Sequence, residues 1–319
     1  MRRMSMPPIL QNLRLPVIAA PLFIISNPAL VIAQCCAGIV GSFPALNARP
    51  ESALAEWIEQ IQVALAAHDA AHPDRPAAPF AVNQIVHRSN NRLEHDLAVC
   101  VQYKVPIVIT SLGARPEVNQ AVHSYGGIVM HDIINDIFAH KAIEKGADGL
   151  VAVAAGAGGH AGTLSPFALM QEIRAWFQGP VALSGSIATG SGILAAQAMG
   201  ADLAYIGSAF IATAEANAAA AYKQAIVDGN AGSIVYTDLV TGVHGNYLRS
   251  SLVNAGLDPD NLPRSDPSAM NFGGDKPKAW KDIWGSGQGI GAIDQVQPTA
   301  ALVAQFAKEY GAARARLAV

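Results

Sequence analysis

The sequence has few cysteines, few charges and no long apolar run, and each of these shortages excludes a class of protein. Its 319 residues include three cysteines, Cys35, Cys36 and Cys100, two of them adjacent, so a disulfide framework is excluded. Charged residues make up 14% and the formal net charge is −3, without a basic block, so neither nucleic acid nor an anionic membrane is an expected partner. No window approaches the roughly 18 apolar residues of a membrane helix.

The start of the chain also lacks the features of an export signal. Arg2 and Arg3 are followed by prolines and polar residues in place of an apolar core, which argues against a signal peptide. Together with the cysteine usage, this predicts a cytoplasmic protein that binds a small ligand. The spacing of His68 and His72 is that of a zinc-binding helix, but Pro73 ends the helix at once, so we expect no metal. The oligomeric state is open, with a homodimer as one option.

Apolar residues, in contrast, are abundant at 51% and fall in short runs that alternate with helical patterns. Near-continuous apolar strands, each followed by a helical segment, predict an α/β protein with the (β/α)₈ architecture of a TIM barrel. The eight strand-like runs are Val17–Pro21, Gly38–Phe43, Phe80–Ile85, Pro106–Ser111, Ile128–Asp132, Gly149–Ala154, Val181–Gly185 and Leu203–Gly207.

The later part of the chain breaks this rhythm. We assign residues 1–214 to the barrel and 215–274 to a smaller, largely helical and loop-rich insertion over the barrel mouth, the end at which the strands finish. Residues 275–319 then return to the barrel with a loop that covers the ligand and a final helix. In the barrel itself, Ser165 and Pro166 predict the start of a helix.

The strongest candidate for chemistry is His160, because it stands in a run of glycines directly after the sixth strand. In the segment 156–162, Gly158 and Gly159 would let backbone approach a flat or charged ligand, and the histidine would stand beside it. The alternative is a histidine that only packs in a loop. The segment also fits the loose G-x-G-x-x-A pattern of a dinucleotide fold, but no acidic residue ends the next strand.

Small residues also end the seventh and eighth strands, where phosphate often binds in barrels. Backbone N–H groups and hydroxyls there could converge on a phosphate, helped by the N-terminus of the helix after the seventh strand, or the residues could only form tight turns. These residues are Ser184, Gly185, Ser186, Gly207 and Ser208.

Further candidates lie at other strand ends. Ala20, Pro21 and Leu22 could lie against a planar cofactor, and the Asn83 carboxamide could read the edge of a heteroaromatic ring. His131 either orients a ligand or holds the mouth together. In the late glycine-rich loop 284–291, Gln288 could contact a cofactor.

Taken in order, these motifs resemble those of the nitronate monooxygenases, formerly called 2-nitropropane dioxygenases. The resemblance covers nearly the whole chain and implies an FMN-dependent barrel with an inserted domain, related to a flavin-dependent enoyl reductase and to NADH:quinone reductases. It implies a catalytic role for His160, and cofactor contacts for Asn83, Gly158, Gly159, Ser184, Gly185, Ser186, Gly207, Ser208 and Gln288.

Two residues depart from the family pattern. Ser186 replaces the second glycine of a pair, which a serine tolerates only with an ordinary φ. Asp132 stands where some relatives carry a lysine that meets the flavin, so the flavin potential or the preferred substrate charge is expected to differ.

The resemblance implies oxidation of alkyl nitronates, or of nitroalkanes, by O₂ to carbonyl compounds and nitrite, with His160 as base or hydrogen-bond partner. The runner-up is an FMN-dependent NAD(P)H oxidoreductase that reduces a quinone or an enoyl thioester. A third class is a barrel without redox chemistry, although no strand ends in a lysine suited to a Schiff base.

Overall fold

Eight parallel strands form a barrel with helices between them, which confirms the fold predicted from the sequence. The computed structural model describes residues 6–263 and 282–317. The strands are β1 (Val17–Ala19), β2 (Gly41–Pro44), β3 (Phe80–Ile85), β4 (Ile107–Ser111), β5 (Ile128–Ile133), β6 (Gly149–Val153), β7 (Gly159–His160), β8 (Val181–Ser184), β9 (Leu203–Ile206), β10 (Ile234–Thr237) and β11 (Gly245–Leu248).

The barrel strands follow the order β1-β9-β8-β6-β5-β4-β3-β2. The ring closes between β1 and the residue before β2, where Ile18 bridges Val40 and the Ala19 N–H donates to the Val40 carbonyl at 2.8 Å. The predicted runs and the observed strands differ by no more than three residues at either end.

Helices connect the strands and cover the barrel. They are α1 (Pro28–Cys36), α2 (Ala53–Ala71), α3 (Leu93–Gln102), α4 (Pro116–His123), α5 (Asp136–Glu144), α6 (Pro166–Trp176), α7 (Gly190–Ala198), α8 (Ser208–Ile211), α9 (Ala220–Val227), α10 (Arg249–Asn254) and α11 (Thr299–Leu317). Asn27 and Thr189 cap α1 and α7 with their side chains. Ser165 precedes α6 as predicted, but its side chain makes no capping hydrogen bond. None of the helices in the described ranges is long and apolar enough to cross a bilayer.

Alternation along the barrel strands determines which side chains enter the barrel. Ile18, Ala81, Met130, Ala182 and Leu203 belong to one buried cluster that fills the interior. Their chain neighbours, with the opposite orientation, pack in the larger cluster beneath the helices. The inward-facing residues two positions further along each strand therefore form the next layer up, at the barrel mouth.

The residues after 214 form a small unit against the mouth. Strands β10 and β11 pair antiparallel, and β11 also pairs with β7, so the insertion forms a three-stranded sheet together with the glycine-rich loop. The sequence predicts a largely helical and loop-rich insertion and does not predict this sheet. Helix α11 then packs on α7 and α1. The predicted boundary between residues 274 and 275 lies outside the described residues.

Candidate functional site

A cavity of about 770 Å³ lies at the barrel mouth, within the 300–1,000 Å³ range of small-molecule sites. It is enclosed by the carboxyl ends of the barrel strands, by the insertion and by the part of the return segment from Trp284 onwards. The structure brings nearly all the predicted site residues to its wall: Ala20, Pro21, Leu22, Asn83, Asp132, Gly158, Gly159, His160, Ser184, Gly185, Ser186, Gly207 and Ser208.

His160 belongs to β7 and is held by the insertion. Its backbone pairs with Gly245 of β11, and its Nε2 lies 2.9 Å from the Thr241 hydroxyl. Removal of the ring from water disfavours the imidazolium and lowers the pKa of His160 from 6.5 to about 4. At neutral pH the side chain is therefore an uncharged imidazole, which can both donate and accept a hydrogen bond at the cavity wall.

The glycines before His160 allow the return segment to dock directly on their backbone. A Cβ on Gly158 would lie 2.7 Å from the Gly287 nitrogen, closer than real Cβ contacts. The Gln288 N–H donates to the Gly156 carbonyl at 2.9 Å, and the Gly287 N–H donates to the Ser208 hydroxyl at 2.9 Å. These contacts close one side of the cavity. The Gln288 side chain itself is exposed and is not among the lining residues, whereas the neighbouring Gly287 and Gly289 are.

The ends of β8 and β9 place serine hydroxyls and glycine backbone on one wall. Gly185 adopts a φ of +134°, and Ser186 follows with a φ of +57°, in the left-handed region. The expectation of an ordinary φ at Ser186 is therefore wrong, because the chain keeps the geometry of a glycine turn although the residue is serine. Its hydroxyl packs towards Gly156, where any Cβ would collide with it.

The N-terminus of α7 is occupied by the protein's own side chains. The Gly190 N–H donates to the Glu309 carboxylate at 2.7 Å, and the Gly192 N–H donates to the Thr189 hydroxyl at 3.0 Å. The expected help of this helix end in binding a phosphate is thus not supported, since a carboxylate of α11 already takes that place. Any anion on this wall would instead meet the turns at 185–188 and 207–208, which line the cavity.

The cavity floor is polar where β3, β4 and β5 end. The Asn83 amide donates to the Ser111 hydroxyl at 2.7 Å and to the Ile109 carbonyl at 3.0 Å. Asp132 lies beside them, and burial raises its pKa from 3.8 to about 6, while hydrogen bonds from Ser111 and the Leu112 N–H partly oppose the shift. An acid that titrates near neutrality thus faces the cavity.

His131 does not reach this site. It points away from the cavity, as do Val129 and Ile133 on the same face of β5, and its Nδ1 lies 2.6 Å from the Thr110 hydroxyl. Strand alternation directs His131 outwards and Asp132 inwards, so Asp132 and not His131 is among the residues that line the cavity. Burial lowers the pKa of His131 to about 4, which fits a neutral structural histidine.

Further lining side chains were not named among the predicted site residues. Tyr205 lies two residues beyond the interior Leu203, so strand alternation was a signal that could have identified it. Tyr222 and Trp284 stack with ring centroids 4.8 Å apart and come from the insertion and the return segment. Arg49 follows β2, with its guanidinium 5.6 Å from the Phe23 ring centroid, and no pattern in the sequence marks it.

Comparisons with known proteins agree with this architecture. A nitronate monooxygenase from Paraburkholderia phytofirmans is 28% identical, over 92% of this chain and 92% of that protein. A nitronate monooxygenase from Pseudomonas aeruginosa is 28% identical over 73% of this chain and 76% of that protein. A solved nitroalkane oxidase from Streptomyces ansochromogenes superposes with a TM-score of 0.81 at 23% identity, covering 98% of this chain and all of that one, which supports the barrel fold.

The same fold is present in FabK from Thermotoga maritima, with a TM-score of 0.76 at 23% identity, covering 97% of this chain and 96% of that one. The sequence pattern that defines the family Nitronate monooxygenase matches residues 8–309, which include every strand of the barrel and every predicted site residue. The chain therefore belongs to the nitronate monooxygenase family of flavin-dependent oxidoreductases.

Proposed function

We propose that this protein binds FMN and oxidises alkyl nitronates with O₂ to carbonyl compounds and nitrite. Family membership supports oxidation of nitronates in general. The observation that carries the specific proposal is His160, an uncharged imidazole on the wall of a cavity that also presents glycine backbone, serine hydroxyls and apolar side chains.

The lining residues fit a planar cofactor with a phosphate. Ser184, Gly185, Ser186, Gly207 and Ser208 would hold the phosphate, because their hydroxyls and exposed backbone lie together at the ends of two neighbouring strands. Ala20, Pro21, Leu22, Asn83, Gly158 and Gly159 would hold the ring system, and Asp132 and the Gln288 loop also border this part of the cavity. Bound FMN would supply the electron acceptor, which the side chains of a protein cannot provide.

His160 would then bind the substrate. With a pKa near 4 it is neutral at pH 7, so a nitronate can bind beside the ring without a second buried charge. For a neutral nitroalkane, the same ring can accept the α-proton, and the developing nitronate would raise its pKa towards neutrality.

The test is nitrite release by His160→Ala, measured under air with a neutral nitroalkane, whose α-proton a base must remove. We expect a loss of about 100-fold or more, as is typical when a general base is removed, with unchanged FMN absorbance per protein. His72→Ala, which removes an exposed histidine after α2, should keep full activity. A full rate in His160→Ala would refute the proposed role.

Anaerobic titration separates this proposal from its competitors. A nitronate should bleach the bound flavin, whereas NADH or NADPH should not. Fast bleaching by a nicotinamide and none by a nitronate would favour a reductase of quinones or enoyl thioesters on the same scaffold. A purified protein that is colourless and gains no colour with FMN would favour a barrel without redox chemistry.

A further inference from the structure

The hairpin formed by β10 and β11 of the insertion contacts the backbone on both sides of His160. Strand β11 pairs with β7, so that Gly245 faces His160 and Asn246 faces Gly159. The Asn246 amide also donates to the Ala157 carbonyl at 2.7 Å, and the Tyr236 hydroxyl donates to the Ala161 carbonyl at 3.0 Å. The insertion therefore determines where the histidine stands.

The same hairpin provides a side chain for the imidazole. Thr241, in the turn between β10 and β11, places its Oγ1 at 2.9 Å from His160 Nε2. That hydroxyl donates to the Val243 carbonyl at 3.1 Å and accepts from the Val243 N–H at 3.3 Å. A hydroxyl has one proton and two lone pairs; with its proton directed to Val243, Oγ1 can accept from Nε2–H, and the Tyr247 hydroxyl is a further hydrogen-bond neighbour of Thr241.

We propose that Thr241 is a positioning residue that fixes the tautomer and the ring orientation of His160. It keeps the proton of the neutral imidazole on Nε2, and the basic lone pair is then on Nδ1. The catalytic meaning of this tautomer rests on the proposed function: with a nitroalkane, the α C–H bond breaks, its proton passes to Nδ1, and the electron pair stays on the substrate as the nitronate.

The test combines an assignment of the tautomer with kinetics. Long-range ¹H–¹⁵N correlation spectra of the purified flavoprotein identify the protonated ring nitrogen, and the His160 signals are those lost in His160→Gln. We expect Nε2–H in the wild type and in Thr241→Ser, which keeps the hydroxyl. Thr241→Val keeps the shape but cannot accept a hydrogen bond, so it should show mixed tautomers or Nδ1–H.

The kinetic expectation follows from the geometry. Thr241→Val should lower kcat for nitroalkane oxidation on the order of 10-fold to 100-fold, because a misplaced catalytic group loses that much. Thr241→Ser should restore most of it. Thr237→Val is the matched control, since Thr237 lies in the same hairpin and its hydroxyl accepts from the Leu239 N–H, not from His160. If Thr241→Val does not fold, Thr241→Ala replaces it.

The outcomes separate the two proposals. An unchanged tautomer and an unchanged rate in Thr241→Val would overturn the positioning role. A shifted tautomer in Thr241→Val together with a fully active His160→Ala would keep the positioning role and overturn the proposed catalytic function.

Discussion

Ser186 occupies a backbone conformation that glycine adopts freely and serine does not. With a φ of +57°, its Cβ crowds the following backbone, at a cost of about 1–2 kcal/mol. Ser186→Gly should therefore raise the free energy of unfolding by about 1 kcal/mol, since glycine's greater freedom in the unfolded chain offsets part of the gain. Urea denaturation of the cofactor-free protein measures this difference.

Ser184→Gly is the matched control, because it makes the same change at a position where the backbone is not strained. Ser184 lies in β8, where the backbone is extended, and its removal relieves no strain. Ser184→Gly should lower the free energy of unfolding by about 0.5–1 kcal/mol. If both variants lose stability equally, the left-handed conformation of Ser186 carries no strain.

Asp132 makes stability depend on pH in a direction that can be stated in advance. Burial raises its pKa in the folded protein to about 6 from 3.8, so the folded state holds a proton that the unfolded chain has lost. Stability from this group is complete below about pH 4 and is lost as the pH rises through 6. Asp132→Asn should therefore be more stable than the wild type above pH 6, by about 1–3 kcal/mol, and similar to it at pH 4.

Thermal unfolding of the cofactor-free protein between pH 4 and pH 8 measures this effect. Asp74→Asn, at an exposed position after α2, removes a carboxylate without changing the cavity and should follow the wild type throughout. A constant difference between Asp132→Asn and the wild type across this range would contradict the assigned pKa.

Helices α7 and α11 approach so closely that their contact depends on one glycine. A Cβ on Gly190 would lie 2.2 Å from the Phe306 carbonyl oxygen and 2.3 Å from the Tyr310 nitrogen, both backbone atoms that cannot move alone. Gly190→Ala should lower the free energy of unfolding by about 1–3 kcal/mol through overpacking, and it should also weaken the Glu309 cap of α7.

The control for Gly190 lies in the partner helix. Gly311 of α11 is exposed, and a Cβ there would meet nothing within 4 Å. Gly311→Ala should therefore stabilise the protein by up to about 1 kcal/mol, because alanine favours the helix. If Gly190→Ala has the same free energy of unfolding as Gly311→Ala, the close contact between α7 and α11 does not contribute to stability, and the prediction is wrong.

The barrel strands were predictable and the strands of the insertion were not, for a physical reason. Buried parallel strands such as Gly149–Val153 are apolar throughout, so they can be recognised from composition alone. In contrast, β7 is two residues long, and β11 contains a glycine and an asparagine. Their pairing depends on contacts between residues more than 80 positions apart, which no local pattern encodes.

The residues of the candidate site can also be divided into those that the sequence predicts and those that it does not. Residues of the glycine turns and strand ends, such as Gly158 and Ser208, were predicted because their type and position both fit a ligand. His131 was predicted from its residue type, and its orientation on β5, which no composition pattern encodes, directs it away from the cavity. Thr241 was not identified, because it reaches the cavity only when the insertion folds onto the barrel, whereas the loop that begins at Trp284 was expected to cover the ligand.

At the scale of the whole molecule, the cavity is an assembly of the barrel, the insertion and the return segment. Its wall includes Ala20 near one end of the chain and Gly289 near the other, so a ligand in it contacts segments that are far apart in the sequence. Because such a ligand binds only the folded state, it should stabilise the protein as a unit. Stability can thus report on the cofactor independently of catalysis.

Under the proposed function, FMN at 100 times its Kd should add about 2.7 kcal/mol to the free energy of unfolding of the cofactor-free protein. Riboflavin, which has the same ring system and no phosphate, should add clearly less at the same concentration. The difference between the two flavins measures how much the wall at Ser184–Ser186 and Gly207–Ser208 contributes to binding the phosphate, because hydroxyls and glycine backbone there are available to an anion. Equal stabilisation by both flavins would mean that this wall does not bind the phosphate. If neither flavin stabilises the protein, the proposal that it binds FMN is wrong.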